Sequence, residues 1–329
     1  MVTVGMMSFA HMHAASYAAC LKGLPNARLA AVADDDEARG REMADRFGAN
    51  YYASYEALLG SGVDAVVICT ENARHRQMTL LAAAAGKHVL CEKPLATNVV
   101  DAMAMVAACK QAGVQLMTAF PCRFHPAMQR VKALVDEGKI GRILAIRGTN
   151  RGRNPGGWFI ELEKSGGGAV MDHTVHVTDL IRWLTGAEVS EVYAEIGNLI
   201  NHGAFEDVGF LTLQLDNGVF ATLDSSWSRP KAYPFWGDVT LEVVGEAGVI
   251  SMNMFAQNLV LYSDKAGCVQ WANWGSNMDL GLVRAFVDAI ESGTPVPITG
   301  EDGLKAVEVV AAAYRSADKV APVQLPMPS

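Results

Sequence analysis

The chain has 329 residues, of which 50% are hydrophobic and only 19% are charged, so it carries enough apolar material for two cores. Its formal net charge of −8 argues against nucleic acid as a partner. No apolar run approaches the ~20 residues needed to span a bilayer, and the N-terminal residues lack the basic region of a signal peptide. Six cysteines without a Cys-x-x-Cys pair indicate reduced packing thiols. We therefore expect a soluble, cytoplasmic protein that does not associate with membranes.

Short β-type runs alternate with alanine-rich helical patterns through residues 1–121. The apolar runs are Val2–Met6, Arg28–Asp34, Asn50–Ala53, Ala65–Thr70, His88–Glu92 and Gln115–Phe120. The predicted helices are Ala14–Lys22, Glu37–Phe47, Arg74–Ala85 and Val99–Gln111. This alternation predicts a dinucleotide-binding Rossmann domain, in which helices cover both faces of a doubly wound parallel sheet.

The pattern changes after about residue 122. Asn217-Gly218 joins Phe210–Leu215 to Val219–Trp227 with a strong hairpin signal. Further strands are predicted at Ile143–Arg147, Glu191–Ile196, Val239–Val244, Val249–Met254, Leu259–Ser263 and Cys268–Trp271, and helices at Leu280–Ser292 and Glu301–Lys319. Residues 122–329 are therefore expected to form an α+β substrate-binding domain with a large, mostly antiparallel open sheet. An open sheet face would suit pairing into a homodimer or homotetramer.

The first strand leads into Gly5-Met6-Met7-Ser8-Phe9-Ala10-His11 and then into a helix. Such a turn presents backbone N–H groups and a positive helix end to a pyrophosphate. Gly5 and Ala10 fill the first and third glycine positions of a dinucleotide-binding turn, but Met7 stands at the second. A generic strand-to-helix turn fits this segment about equally well.

Asp34 ends the second predicted strand, where a carboxylate would accept hydrogen bonds from a ribose 2′-hydroxyl. The same carboxylate would repel a 2′-phosphate, and Asp35 and Asp36 add to that repulsion. The alternative is that the three acidic residues only favour the start of the next helix. We expect NAD to be preferred over NADP.

Cys91-Glu92-Lys93-Pro94 follows a strand whose carboxyl end would face the ligand crevice of a parallel sheet. A lysine beside a helix-breaking proline is placed there to act on a substrate. The alternative is a solvated Glu–Lys pair at the end of a strand.

Gly166-Gly167-Gly168 allows close backbone approach and entry into a helix that contains Asp172 and His176. These two residues are spaced i, i+4 and share one helical face, which Asp179 continues. Histidine exchanges protons near neutral pH, and a neighbouring carboxylate can set its tautomer. The alternative is a capped helix whose polar stripe touches solvent.

Together these segments resemble the glucose–fructose oxidoreductase/myo-inositol dehydrogenase (Gfo/Idh/MocA) family. The motifs that carry the resemblance are Gly5…Ala10, Asp34, Thr70-Glu71-Asn72…His75, Ala85–Pro94, Arg123-Phe124, Gly138–Gly141, Gly166–His176, Gly300–Leu304 and Ala313–Ser316. They extend over essentially the whole chain.

The resemblance implies reversible hydride transfer between nicotinamide C4 and a secondary alcohol carbon of a sugar, inositol or related polyol. It implies that Lys93, Asp172 and His176 form the catalytic group. Lys93 would stabilise charge on the substrate oxygen, His176 would exchange the proton, and Asp172 would fix one of the two. Which of Lys93 and His176 moves the proton is left open.

The resemblance also implies contacts with cofactor and substrate. The cofactor-binding candidates are Gly5, Met7, Ser8, Phe9, Ala10, Asp34, Thr70, Glu71, Asn72, His75, Glu92, Lys93 and Arg123. The substrate-binding candidates are Lys93, Arg123, Arg153, Trp158, Asp172, His173 and His176. Arg153 and Trp158 lie on a glycine-rich loop, which could equally be an exposed, mobile segment.

The sequence departs from the family pattern at Met7, at Glu71, where proline is usual, and at His173-Thr174, where a glycine is common. The extra histidine suggests a second interpretation, in which Asp172, His173 and His176 bind a metal ion. Because consecutive helical residues diverge by ~100°, we expect His173 to point away from its neighbours and no metal to bind.

Two other functions remain open at this point. A tightly held NAD could support a transient oxidation that gives net hydrolysis or elimination. Alternatively, the chain could be a catalytically silent NAD-binding regulatory protein. The sequence does not identify the substrate.

Overall fold

The computed structural model describes residues 1–256, 258–261, 264–265, 267, 269–273 and 276–327. The chain divides into two compact units. The first comprises Met1–Pro121, Glu163–Gly166 and Asp279–Val307, and the second comprises Cys122–Leu162, Gly167–Met278 and Glu308–Ser329. Among the described residues, no helix combines the length and apolar character required to cross a membrane.

The first unit contains a six-stranded parallel sheet. Its strands are β1 (Val2–Met7), β2 (Ala27–Ala33), β3 (Asn50–Tyr52), β4 (Ala65–Ile68), β5 (His88–Cys91) and β6 (Leu116–Thr118), in the order β3-β2-β1-β4-β5-β6. The intervening helices are α1 (Ala14–Gly23), α2 (Glu37–Phe47), α3 (Tyr55–Leu59), α4 (His75–Ala84) and α5 (Val99–Ala112). The strand order reverses between β1 and β4, which creates a crevice at the carboxyl ends. The predicted Rossmann architecture is confirmed.

Local sequence explains these elements. Strand β4 is an unbroken apolar run that is buried throughout, which is typical of a central parallel strand. Helix α5 is capped at its N-terminus by Asn98, whose side chain accepts a 2.9 Å hydrogen bond from the Asp101 N–H. Its C-cap is Gly113, whose φ of 67° lies in the left-handed region that favours glycine.

The second unit contains a seven-stranded sheet. Its strands are β7 (Ile143–Thr149), β8 (Val189–Gly197), β9 (Val208–Leu215), β10 (Phe220–Asp224), β11 (Thr240–Gly245), β12 (Gly248–Asn253) and β15 (Val323–Gln324), in the order β12-β11-β7-β10-β9-β8-β15. All neighbouring pairs are antiparallel except β7 and β10. The predicted α+β domain with a mostly antiparallel sheet is confirmed.

Three helices precede or follow β7, and one hairpin stands apart from the large sheet. The helices are α6 (Pro126–Asp136), α7 (Leu162–Ser165) and α8 (Ala169–Thr185). Strands β13 (Asn258–Leu261) and β14 (Gln270–Asn273) pair only with each other in the described part of the chain. Their predicted membership of the large sheet is wrong, because the edge strand β12 is not paired with either of them. The predicted ends of this hairpin at Ser263 and Cys268 lie outside the described residues.

Helix α8 packs closely on the large sheet because the sheet offers glycines beneath it. A Cβ at Gly148 would lie 2.5 Å from Val177 Cγ1, and one at Gly209 would lie 2.4 Å from Val170 Cγ2. Both distances are shorter than van der Waals contact, so these positions require glycine. The glycines set the depth at which α8 is buried.

The chain ends with two long helices, α9 (Met278–Ser292) and α10 (Gly300–Lys319). Within the first unit, Asp279 of α9 accepts a 2.6 Å hydrogen bond from Ser16 Oγ, and Asp288 accepts one of 2.9 Å from Asn26 Nδ2. Residues 279–307 thus belong to the first unit, whereas the boundary expected from the sequence puts them in the second domain.

Candidate active site

The turn after β1 is tightly hydrogen-bonded. Ser8 has a φ of 73°, and its N–H donates to the Ala33 carbonyl at 2.8 Å. The Phe9 N–H donates to Asp34 Oδ2 at 2.6 Å, and the Ala10 N–H donates to Ser8 Oγ at 3.1 Å. The expected role of these N–H groups in binding a pyrophosphate stays a prediction, and binding through them would replace the hydrogen bonds that they make to Ala33, Asp34 and Ser8.

Met7, at the second glycine position, does not obstruct the turn with its side chain. Its thioether is fully buried in a core cluster that also contains Leu58 and Ile68. A Cβ at Gly5 would lie 2.7 Å from Leu58 Cδ2, so a side chain at the first glycine position would force the buried Leu58 side chain to move. The departure at Met7 therefore adds to the core.

Asp34 lies just beyond β2 with its carboxylate buried and paired with Arg39. The guanidinium of Arg39 donates from Nε to Oδ2 at 2.9 Å and from Nη2 to Oδ1 at 2.5 Å. These hydrogen bonds to Asp34 raise the pKa of Arg39 above its ordinary value. Arg39 lies in the first turn of α2, the helix that follows Asp34, and its pairing with Asp34 was not predicted from the sequence.

A cleft of about 440 Å³ lies beside Asp34, and Asp35, Tyr55, Arg74 and Met78 contribute to its lining. The Tyr55 hydroxyl donates to Asp35 Oδ2 at 2.8 Å, and Arg74 forms an ion pair with the same carboxylate. Two acidic groups next to β2 are thus each paired with an arginine. Neither Tyr55 nor Arg74 was identified from the sequence.

The carboxylate of Glu92, directly after β5, is the centre of a buried polar cluster. Glu92 Oε1 lies 2.8 Å from His13 Nδ1 and 3.4 Å from His11 Nδ1. Glu92 Oε2 accepts a 2.8 Å hydrogen bond from the backbone N–H of Lys93. Lys93 itself is only 4% exposed. The strand end predicted to be functional is therefore not a solvated Glu–Lys pair.

The charges in this cluster stabilise one another. Burial alone would raise the pKa of Glu92, but His11, His13 and Lys93 outweigh burial and hold this pKa well below its ordinary value. Burial would lower the pKa of His13, but the charge and hydrogen bond of Glu92 outweigh it and raise that pKa. The sequence analysis missed both histidines, although the spacing His11-x-His13 directly after the nucleotide turn was a usable signal.

His75 supports the segment that carries Lys93. Its imidazole is fully buried, with Nδ1 2.9 Å from the Pro94 carbonyl oxygen and Nε2 3.3 Å from that of Thr70. Asn72 donates from Nδ2 to the Ser165 carbonyl at 2.9 Å. The expected contacts of these residues and Glu71 with a cofactor stay predictions, but His75 is not a surface histidine.

In the second unit, Glu206 caps the start of α8. Glu206 Oε1 accepts hydrogen bonds from the Gly168 N–H at 2.7 Å and from the Tyr314 hydroxyl at 2.6 Å. A Cβ at Gly167 would lie 2.1 Å from Tyr314 Oη, and one at Gly168 would lie 2.0 Å from the Glu206 carbonyl oxygen. The close backbone approach predicted for the glycines is confirmed here, while the capping glutamate was missed.

Asp172 lies in the first turn of α8, where the helix dipole favours a negative charge. Its Oδ2 accepts a 3.3 Å hydrogen bond from Trp227 Nε1 and lies 3.2 Å from His173 Nε2. The prediction that His173 points away from its neighbours is wrong. The absence of a side chain at Gly152 leaves room for the imidazole, because a Cβ there would lie 2.5 Å from His173 Cε1.

Two further predicted site residues lie in buried pairs. His176 Nδ1 lies 3.9 Å from Cys122 Sγ. Arg123 donates from Nε to Asp179 Oδ2 at 2.8 Å, and its second arm bonds the other carboxylate oxygen. Arg123 and Asp179 thus form a bidentate ion pair. The contacts of Arg123 with cofactor and substrate stay predictions.

The loop before α8 is held by an ion pair and by a hydrogen bond to the backbone. Arg151 donates from Nε to Asp238 Oδ2 at 3.0 Å, and Arg153 donates to the Tyr233 carbonyl. The Trp158 ring stacks on Phe159 with their centroids 3.9 Å apart. The roles of Arg153 and Trp158 in binding substrate stay predictions.

The structure therefore gathers the predicted residues in two groups, one in each unit. The first unit holds the nucleotide turn, Asp34 and Lys93. The second unit holds Asp172 and His176 on one buried helix. Their action as one catalytic group stays a prediction.

Comparison with known protein families identifies the family to which the chain belongs. Residues 1–120 match the model of an oxidoreductase family with an NAD-binding Rossmann fold, and residues 128–251 match the GFO/IDH/MocA C-terminal domain. The chain belongs to the Gfo/Idh/MocA family of oxidoreductases. The resemblance stated from its motifs is confirmed.

Individual relatives of this Gfo/Idh/MocA protein span nearly its whole length. A myo-inositol 2-dehydrogenase of Thermotoga maritima is 30% identical, over 93% of each chain. A D-xylose 1-dehydrogenase (NADP(+)) of Haloferax volcanii is 30% identical, over 90% of this chain and 91% of the relative. The crystal structure of GenD2 from gentamicin A biosynthesis in complex with NAD is 28% identical, with a TM-score of 0.92 over 98% of this chain and 96% of that one.

Proposed function

We propose that the chain is an NAD-dependent oxidoreductase that interconverts a secondary alcohol and a ketone of a sugar, inositol or related polyol. The observation that carries this proposal is the burial of the three predicted catalytic groups in a member of this family. Lys93, Asp172 and His176 are 4%, 9% and 8% exposed. Because burying ionisable groups costs free energy, such groups in a dehydrogenase family point to a catalytic role.

The first unit has the features that a dinucleotide requires. Its strand order is that of a dinucleotide-binding sheet, Ser8 adopts the left-handed backbone of a tight turn, and Asp34 lies at the end of β2. The turn from Gly5 to Ala10 would hold the pyrophosphate, and Asp34 would bind the adenosine ribose. When bound, NAD supplies the carbon that accepts or returns the hydride.

We assign a separate task to each catalytic residue. Lys93 hydrogen-bonds the substrate oxygen and stabilises the negative charge that develops on it. His176 takes the hydroxyl proton during oxidation and returns it during reduction. Asp172 fixes the orientation of the group that exchanges the proton.

We further propose that NAD is preferred over NADP. The carboxylates of Asp34, Asp35 and Asp36 oppose a 2′-phosphate, and the ribose hydroxyls would take over bonds that Arg39 now makes to Asp34. The pairing of Asp34 and Asp35 with arginines weakens this repulsion, so the preference is expected to be moderate. Equal kcat/KM with the two cofactors would contradict it.

The outer face of the second sheet supports an oligomer. The side chains of Phe210 and Phe220 are about half exposed on β9 and β10. We propose that this face pairs two or four copies of the chain. The five described cysteines are buried thiols, which is consistent with a reducing compartment such as the cytoplasm.

The test is a spectrophotometric screen at 340 nm of sugars, inositols and their keto forms with both cofactors. The proposal predicts stoichiometric accumulation of NADH with at least one polyol, and its loss in the Lys93→Met variant. Product formation without net NADH would contradict it. Full activity of Lys93→Met would refute the catalytic assignment.

A further inference from the structure

The cluster around Glu92 has two possible interpretations. It is either a metal site or a hydrogen-bonded clamp, in which Glu92 bonds both the His13 imidazole and the Lys93 N–H. Among the described residues, His11, His13 and Glu92 are the group whose ligand atoms all lie within 4.8 Å of one another. Two imidazoles and a carboxylate would suit zinc.

The hydrogen bonds within the cluster favour the clamp. His11 Nδ1 already accepts the His13 N–H at 3.2 Å, and Glu92 Oε1 lies 2.8 Å from His13 Nδ1. Glu92 Oε2 accepts the Lys93 N–H. Both Nδ1 atoms and both Glu92 carboxylate oxygens are therefore engaged with one another or with the backbone, and the positive charge of Lys93 nearby opposes a second cation.

The clamp joins two segments that are 79 residues apart in sequence. His13 stands immediately before α1, at the end of the nucleotide turn. Glu92 precedes Lys93 at the end of β5. One buried carboxylate thus bonds the turn predicted to hold the cofactor and the backbone of the residue predicted to hold the substrate oxygen.

We propose that His13 and Glu92 are positioning residues that fix Lys93 relative to the nucleotide turn. This inference rests on the proposed function for its catalytic consequence. The clamp sets where the Lys93 ammonium stands when the reacting oxygen arrives, and a misplacement of about 1 Å there can cost a factor of the order of a hundred in rate. The role is distinct from catalysis, because neither side chain needs to touch the substrate.

The test compares two substitutions at one position. His13→Leu removes the donor to Glu92. His13→Asn restores a donor, because an asparagine amide stands close to where the imidazole Nδ1 stood. His88→Leu serves as the matched control, since it removes a half-buried histidine on β5, the strand that precedes Glu92, but outside the cluster.

The first readout is hydrogen–deuterium exchange of peptides that cover residues 88–97 and 8–14, measured on the full chain. His13→Leu is expected to speed exchange in both peptides, and His13→Asn is expected to restore most of the protection. His88→Leu should leave residues 8–14 unchanged. Unaltered exchange of residues 88–97 in His13→Leu would overturn the proposal, whatever the activity.

The second readout is kinetic. His13→Leu should lower kcat about tenfold or more, with a smaller change in the Kd of NADH, and His13→Asn should recover to within about threefold of the wild type. Faster exchange with unchanged kcat would overturn the positioning role. So would one equivalent of zinc that copurifies with the wild type and is lost in His13→Asn. A wild type inactive on every polyol would refute the proposed function alone, and the exchange data would still decide whether the clamp exists.

Discussion

Two buried carboxylates stand at the carboxyl edge of the same parallel sheet, and they are neutralised in different ways. Asp34 is paired with Arg39, a guanidinium that stays charged at every accessible pH. Glu92 is paired with the imidazole of His13, and this pair raises the pKa of His13 above its ordinary value. The charges of the Asp34–Arg39 pair are therefore independent of pH, whereas the charge of the Glu92–His13 pair depends on pH.

This difference in pairing matches the roles that we propose for the two carboxylates. A ribose site needs a constant charge that distinguishes a hydroxyl from a phosphate. A carboxylate beside Lys93 serves a proton-transfer reaction, where the balance of charge changes during turnover. Substitutions at the two carboxylate sites should therefore have different consequences.

The largest effect is expected on the Glu92 side, from Lys93→Met. The variant loses the donor to the substrate oxygen, so kcat should fall by about a thousandfold. The Kd of NADH, measured by fluorescence titration, should stay within about threefold of the wild type. Lys110→Met, a change of an exposed lysine on α5, is the control and should be fully active. A Lys93→Met variant that loses NADH binding together with activity would show a structural role instead.

On the Asp34 side, Asp34→Asn should raise the KM for NAD about tenfold or more, with a smaller change in kcat. The amide keeps the shape of the side chain but loses the charge that accepts ribose hydroxyls and pairs with Arg39. Steady-state kinetics with both cofactors measure the effect. The ratio of kcat/KM for NAD to that for NADP should fall, and an unchanged ratio would exclude Asp34 from cofactor selection.

A smaller and opposite effect is expected from Arg39→Ala. Removing the guanidinium leaves the Asp34 charge without its counterion, so the discrimination against NADP should increase by about threefold to tenfold. Arg41→Ala, on the same helix and paired with Glu37 instead, is the matched control. A fall in the discrimination against NADP would mean that Arg39 does not act by neutralising the charge of a ribose-binding Asp34.

The smallest effect is a pH dependence of stability. The pKa of His13 is raised in the folded protein, so its pair with Glu92 contributes in full below the ordinary histidine pKa of about 6.5 and is lost as pH rises through the folded value. Urea unfolding of wild type and His13→Leu should therefore show a difference that shrinks from pH 6 toward alkaline pH. A difference that grows with pH would contradict the assigned ion pair.

The parallel sheet was predictable because its signal is local. Apolar runs, alanine-rich helices and caps such as Asn98 are read within a few residues of one another. The five-residue helix Tyr55–Leu59 was missed because so short a helix has almost no periodicity.

The surroundings of the site were predictable only in part. Lys93 stands out because it follows a strand end, and Asp172 and His176 stand out because they are spaced i, i+4 on one helix. Their supports come from distant parts of the chain: Glu206 caps α8, and Trp227 bonds Asp172 from 55 residues away. The position of His173 was mispredicted because helical geometry fixes the direction of the Cβ but not of the side-chain tip. Such contacts depend on tertiary packing, which the local pattern does not contain.

The most direct test of the central claim follows a single hydrogen atom. A polyol that responds in the screen at 340 nm would be prepared with deuterium on the carbon to be oxidised, and the reduced cofactor would be analysed by mass spectrometry. The account predicts NADH that is heavier by one deuterium, together with a slower reaction. Unlabelled NADH, with the deuterium released to water, would contradict direct hydride transfer.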